Sequence, residues 1–216
     1  MSGLKKTLPG LLLFFLGTLN LQAQNQALAI LEKAGEAYNK TSGVHAEFSI
    51  EVFEFGGESA AQIKGQIQLK GDKFKLDVGE MITWFDGKNQ WFYLVNIQEV
   101  NLSNPAPQDL IMINPVMVFQ LYKYGFDARY AGEKKLGTKI AQQVELIPQE
   151  VHSDIQRIEV CFDKQTYQPL RIRIRNKDQS GSLVIIDKYI TDQEYPDAMF
   201  VFQQKAYPGA VVIDLR

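Results

Sequence analysis

The chain has 216 residues, 45% of them hydrophobic, which suits one domain with a core of its own. Its 23 basic and 25 acidic side chains leave a net charge of −2 with no basic stripe, which argues against a nucleic-acid partner. A single cysteine, Cys161, excludes an intrachain disulfide, and two histidines are too few for a rich metal site.

The N-terminus reads as an export signal. Lys5 and Lys6 precede an apolar run from Leu8 to Leu21, and small Ala23 stands where signal peptidase would cut. The run is too short for a comfortable membrane span. The expectation is a signal peptide over residues 1–23 and one domain over 24–216, with Gln24 first. Losing Lys5 and Lys6 leaves 21 basic residues against 25 acidic, a charge of −4. No cysteine stands at the cut to carry a lipid, and a disulfide-free exported domain fits a periplasm.

From Ala27 to Lys40, Leu28, Leu31, Ala34 and Tyr38 recur at helical spacing, and Thr41-Ser42-Gly43 ends the helix. The period then becomes two. Val44, Ala46, Phe48, Ile50 and Val52 alternate with His45, Glu47, Ser49 and Glu51; Ile63, Ile67 and Leu69 alternate with lysines and glutamines; Phe74, Leu76 and Val78 continue the pattern. Half-buried antiparallel strands give this alternation. The stretch WFDGKNQWFYLVNIQEV, Trp84–Val100, holds both tryptophans around an Asp86-Gly87 hairpin turn. Trp91 and Tyr93 share one face of its second strand, Phe92 and Leu94 the other. Large residues on both faces mean a covered strand or a cavity wall, and we expect Trp91 and Tyr93 on the concave side. Taken singly, each aromatic is explained by ordinary core packing.

After Asn104-Pro105-Ala106-Pro107 comes the most apolar segment beyond the leader, QDLIMINPVMVFQLYKYGF, with Pro115 inside it. It predicts two short helical pieces or one kinked helix, and Met112 and Met117 make its surface adaptable. Strands are then expected across Ala128–Gly132, Gln142–Pro148, Ile155–Phe162, Leu170–Arg175 and Leu183–Ile190, with a last one at Phe200–Phe202 before an irregular tail.

Chemistry is sparse. His45 and His152 read as surface residues and Cys161 as a structural thiol, and the chain lacks a phosphate loop, zinc spacing or nucleophile elbow. No catalytic residue, metal or cofactor is expected. Arg171, Arg173 and Arg175 line one strand face, either solvated or docking an acidic partner.

The residues resemble the periplasmic lipoprotein carriers of the LolA family. The resemblance lies in VHAEF at Val44–Phe48, DGKNQWFY at Asp86–Tyr93 with Gln98-Glu99-Val100 after it, Leu146–Pro148, and the tail from Phe200 through Pro208-Gly209-Ala210 to Val212. It spans nearly all of the chain beyond the leader. Two positions depart from the family pattern. Lys70-Gly71 stands where an Arg-Pro is common, losing the planar guanidinium fork, and Leu76 stands where a tryptophan is common. The resemblance implies an unclosed, strongly curved antiparallel β-sheet capped by helices, mainly β with an α lid, whose apolar cavity takes acyl chains. Helix Leu28–Tyr38 and segment Ile111–Leu121 would form the lid.

Cavity residues expected on this basis are Leu31, Phe48, Ile50, Leu69, Phe74, Leu76, Trp91, Tyr93, Ile111, Met112 and Met117. Lys70, Arg171 and Arg173 are candidates for a lid or partner contact. Implied partners are lipoprotein acyl chains, an inner-membrane ATP-driven releasing transporter and an outer-membrane acceptor, with the carrier a monomer. Two other readings compete: a lipid or lipoprotein sensor on the same half-barrel, for which a second domain would be expected, and a lipid-acting enzyme, which would need paired polar groups at the cavity floor.

Overall fold

The computed structural model describes residues 10–106, 109–110 and 113–216, with side chains from residue 22. Helix α1, Gly10–Asn39, precedes a meander of six strands: β1 Val44–Phe53, β2 Ser59–Lys70, β3 Lys73–Val78, β4 Met81–Phe85, β5 Gln90–Leu94 and β6 Glu99–Ser103. A 3₁₀ helix, Pro115–Lys123, then crosses to five more: β7 Phe126–Leu136, β8 Lys139–Pro148, β9 Ile155–Asp163, β10 Pro169–Asn176 and β11 Gly181–Ile190. Two 3₁₀ turns, Asp197–Phe200 and Gln204–Ala206, lead to β12, Val211–Asp214.

All twelve strands form one sheet in the order β12-β6-β5-β4-β3-β2-β1-β11-β10-β9-β8-β7. Strand β1 is the seam, pairing with β2 on one side and with the distant β11 on the other. Every pairing is antiparallel except β12 with β6, which is parallel. Strands β12 and β7 are the free edges, so the sheet is unclosed. The β7 edge is blunted by charged residues and a register shift between Tyr130 and Glu133, and α1 packs on β7 and β8.

Curvature follows from the cavity walls. Leu76 on β3 and Ile158 on β9 line one small cavity, although their strands are five steps apart in the sheet. A flat sheet would hold them about 24 Å apart at the usual strand spacing. The sheet therefore bends round, with its inner face built from the alternating apolar residues. Val44, Ala46, Phe48, Ile67, Leu69, Phe74, Val144, Leu146, Val160 and Ile172 are all buried in one core. Among the described side chains of α1 the buried ones are Ala27, Ile30, Leu31, Ala34 and Tyr38, the stripe expected of one helix face.

One expectation is corrected. The expected last strand, Phe200–Phe202, starts on the final residue of a 3₁₀ turn and continues without regular structure, and the strand of this region is β12 within the tail read as irregular. Phe200 and Phe202 alternate like a strand because both are buried, Phe200 edge-on to Tyr195 at 6.1 Å; the burial is against side chains and not within a ladder. The apolar crossing, expected as two short helical pieces or one kinked helix, has α-helical residues at Asp109, Leu110 and Ile113 and then a nine-residue 3₁₀ helix. Pro115 sits at its first turn, where no amide hydrogen is needed. Asn114 Oδ1 accepts from the Val116 amide at 3.0 Å and caps it.

Candidate functional site

With three residues per turn, side chains three apart on a 3₁₀ helix eclipse one another, so the crossing presents three straight rows. The row Pro115, Val118 and Leu121 roofs a cavity of about 160 Å³. The row Asn114, Met117 and Gln120 lines a second cavity of about 250 Å³. Phe119, in the third row, packs against α1, its ring 5.9 Å from that of Tyr38 and 3.4 Å from where a Cβ on Gly35 would stand. Tyr38 in turn donates to the Gly71 carbonyl at 2.6 Å, tying α1 to the β2–β3 turn. Burial pushes the Tyr38 hydroxyl pKa well up, so it stays a donor. This segment is the lid.

The first cavity lies between lid and sheet. Its floor comes from Phe48 and Ile50 of β1, Leu76 and Val78 of β3, Ile158 of β9, Ile172 and Ile174 of β10, and Val184 of β11. Ile113 joins the roof, and Ser182 is the only lining residue with a polar side chain among the described residues. Such a surface offers dispersion and water exclusion and almost no hydrogen bonding. Among the described residues its lining brings no two polar side chains together. The second cavity is mixed: Phe74, Phe85, Leu110, Met117 and Tyr124 beside Asp72, Gly87, Asn114 and Gln120.

The expected cavity residues divide accordingly. Phe48, Ile50 and Leu76 line the first cavity, Phe74 and Met117 the second. Leu31 of α1 and Leu69 of β2 are buried core residues and line neither cavity. Ile111 and Met112 lie outside the described residues. Sequence reasoning missed the floor from β9, β10 and β11. Its signal, alternating apolar residues, was visible, but the bend that sets those strands opposite β3 was not.

Trp91 and Tyr93 are corrected to the opposite face. Trp84 pairs with Trp91 in register and Ile82 with Tyr93, whereas Phe85, the next residue, faces Phe74 in the main core. On that outer face a separate cluster forms from Trp84, Tyr93, Val100, Phe202 and Ala210, with Trp91 and Tyr207 against it. The rings of Tyr93 and Tyr207 lie 5.0 Å apart, and those of Trp84 and Phe202 5.5 Å, both within the range of favourable aromatic pairs. The hairpin is thus two-sided because the C-terminal tail covers its back.

The cations are engaged locally. Lys70 donates to the Tyr195 carbonyl at 2.9 Å and, with Lys73, grips Asp197, each at 2.8 Å. Lys70 therefore ties the tail, not the lid, to the sheet. The two ammonium groups hold the Asp197 pKa down to about 2. Arg173 stacks over Phe53 at 5.0 Å. Arg175 and Arg157 share Glu159 at 3.1 and 2.8 Å, which lowers that carboxyl's pKa against the opposing effect of burial. Arg171 pairs in register with Cys161, a buried thiol whose pKa burial raises. His45 hydrogen-bonds Glu47 at 3.2 Å. No cluster of potential metal ligands occurs among the described residues.

Comparison with known proteins decides the family. The model of the family described as outer membrane lipoprotein carrier protein LolA matches residues 16–178, well over half of the chain. The chain belongs to this family. Among solved structures, it is similar to an uncharacterized conserved protein from Thermus thermophilus, at 14% identity and a TM-score of 0.62, covering 88% of this chain and 99% of that one. It is also similar to a DUF1329 family protein from Desulfovibrio piger, at 12% identity and a TM-score of 0.51, covering 86% and 99%. A putative outer membrane lipoprotein-sorting protein domain from Vibrio parahaemolyticus aligns at 9% identity and a TM-score of 0.48, over 82% and 97%. At these identities the first two structures speak for the fold alone. Sequence comparison with curated proteins finds no match.

Proposed function

We infer that this LolA-family chain is a periplasmic carrier that takes up acyl chains of lipoproteins under its 3₁₀ lid and shuttles them from the inner to the outer membrane. The observation that carries this reading is the almost wholly apolar cavity between lid and sheet. Burying one methylene is worth about 0.8 kcal/mol, so a 16-carbon chain exposed to water is penalised by roughly 12 kcal/mol. A carrier must cover that surface without chemistry, and these walls suit the task. The cavity is smaller than such a chain, so loading requires the lid to lift. Family membership supports the cargo class; an ATP-driven inner-membrane donor and an outer-membrane acceptor of higher affinity would give the transport its direction.

Processing after Ala23 would leave α1 starting at Gln24, three residues before Ala27. Among the described side chains of α1 the first buried one is Ala27, and Gln22, Gln24, Asn25 and Gln26 before it are exposed. No described helix is long and apolar enough to cross a membrane.

The test is native mass spectrometry of the protein purified from a periplasmic fraction, before and after mild denaturation. Di- or triacylated polypeptide in stoichiometric amount supports the carrier. Free lipid alone favours a lipid shuttle or sensor. A protein that is empty and fails to extract labelled lipoprotein from inner-membrane vesicles overturns the reading.

A further inference from the structure

The geometry points to the two cavities under the lid being the two ends of one amphipathic site, built for an acyl chain joined to an uncharged ester or amide head. This rests on the acyl-binding reading above and adds the chemical class of the head. The cavities adjoin along β3, where Leu76 faces the first and Phe74, two residues earlier on the same face, faces the second. They are divided by two neighbouring rows of the lid, with Met117 and Val118 side by side between them. Met117 is unbranched and flexible, a side chain that yields without breaking the wall.

Polarity is graded along this axis. The first cavity suits the methyl end of a chain. The second brings the amides of Asn114 and Gln120 to the apolar side chains of Phe74 and Phe85. Asn114 is 2% exposed, and its carboxamide oxygen is held by the Val116 amide. Its remaining groups are the two N–H donors, which suit a carbonyl oxygen. Gln120 supplies a second amide, held in place by a 3.9 Å contact of its Nε2 with Met117 Sδ.

Asp72 is the only charged side chain lining this cavity among the described residues. The lysine beside it, Lys73, is bound to Asp197 at 2.8 Å. A free fatty-acid carboxylate seated here would meet a like charge, whereas a glycerol ester or an amide would not. Ester- and amide-linked chains are thus accepted, and the free acid of the same length is disfavoured.

The experiment compares two 16-carbon probes, monopalmitoylglycerol and palmitate, at pH 8 and low salt. Each competes with a fluorescent acyl probe on the purified protein and on Asp72→Asn, a turn residue whose exposure makes the variant fold-neutral, checked by circular dichroism. The native protein should prefer the ester by about 10-fold, the scale of one nearby like charge in partly screened surroundings. Asp72→Asn should raise palmitate affinity until the two probes agree within about twofold, with the ester unchanged. Equal palmitate binding by both proteins, or equal loss of both probes in the variant, overturns this inference and leaves the carrier reading standing. If neither probe nor the fluorescent acyl chain binds, both fall.

Discussion

The ring of Phe48 on β1 lies across Gly65 on β2, filling the space that a side chain at position 65 would occupy. The two residues are partners in register, and a Cβ built on Gly65 would run into the Phe48 ring and stand 3.0 Å from Val78 Cγ2. Phe48 and Val78 both line the cavity under the lid. Glycine is required there for close approach, not for its dihedral freedom. Gly65→Ala should push the Phe48 ring into the cavity, with an overpacking cost of about 1–3 kcal/mol. Urea denaturation should give that loss, and a fluorescent acyl probe should bind more weakly by a larger factor than a matched variant outside the cavity.

Filling the cavity directly separates binding from stability. Val118 is 4% exposed and points from the lid into the space of about 160 Å³. Val118→Phe adds apolar volume to a void that already exists, which commonly leaves stability unchanged or raises it by about 0.5–2 kcal/mol. The melting temperature should hold or rise while acyl-probe affinity falls at least about tenfold, a loss of about 1.4 kcal/mol in binding. Undiminished binding would mean that the chain sits elsewhere.

The aromatic cluster on the outer face predicts the reverse pattern. Trp84 is 3% exposed among Tyr93, Phe202 and Tyr207, under the C-terminal tail and away from the lid. Trp84→Ala should cost about 3–5 kcal/mol, as large core truncations do. At temperatures where the variant remains folded, its acyl-probe affinity should match that of the native protein. A parallel collapse of affinity would show that the back of the hairpin communicates with the cavity.

This contrast also marks how far the sequence could be read. The alternation of Phe48 and Ile50, or of Phe74 and Leu76, places those residues on one face, because the strand period is two wherever the strand goes. The hairpin at Asp86-Gly87 was equally legible; its Asp86 carboxylate takes the Lys88 and Asn89 amides at 2.8 and 2.7 Å. The side on which Trp91 and Tyr93 pack was not legible. Both faces of β5 are apolar, so the choice depends on where residues 200–210, over a hundred positions later, come to rest. The lid's helix type was hidden for a related reason. Pro115 announces a break, but the 3₁₀ rows are selected by two cavities and α1, which are features of the assembled fold.

Asp197 supplies the last prediction, one of pH and salt. Its carboxylate, bridged by Lys70 and Lys73, titrates at about 2 in the folded protein, below the roughly 3.9 of an unfolded aspartate. A carboxyl whose folded pKa is depressed contributes its full stabilisation above the unfolded value and loses it as pH falls through the folded one. The clasp between β2–β3 and the tail should therefore hold unchanged from neutrality to about pH 4 and be lost between about pH 4 and 2. Because Asp197 is exposed, salt should weaken the clasp well before acid does. Hydrogen exchange of residues 195–203 reads it locally: Asp197→Asn should speed exchange there at pH 7 and low salt. The same variant should make that segment insensitive to added salt and leave exchange in β8 and β9 as it was. Equal protection in the native protein and the variant would mean that Phe200 and Phe202 hold the tail without help from the ion pairs.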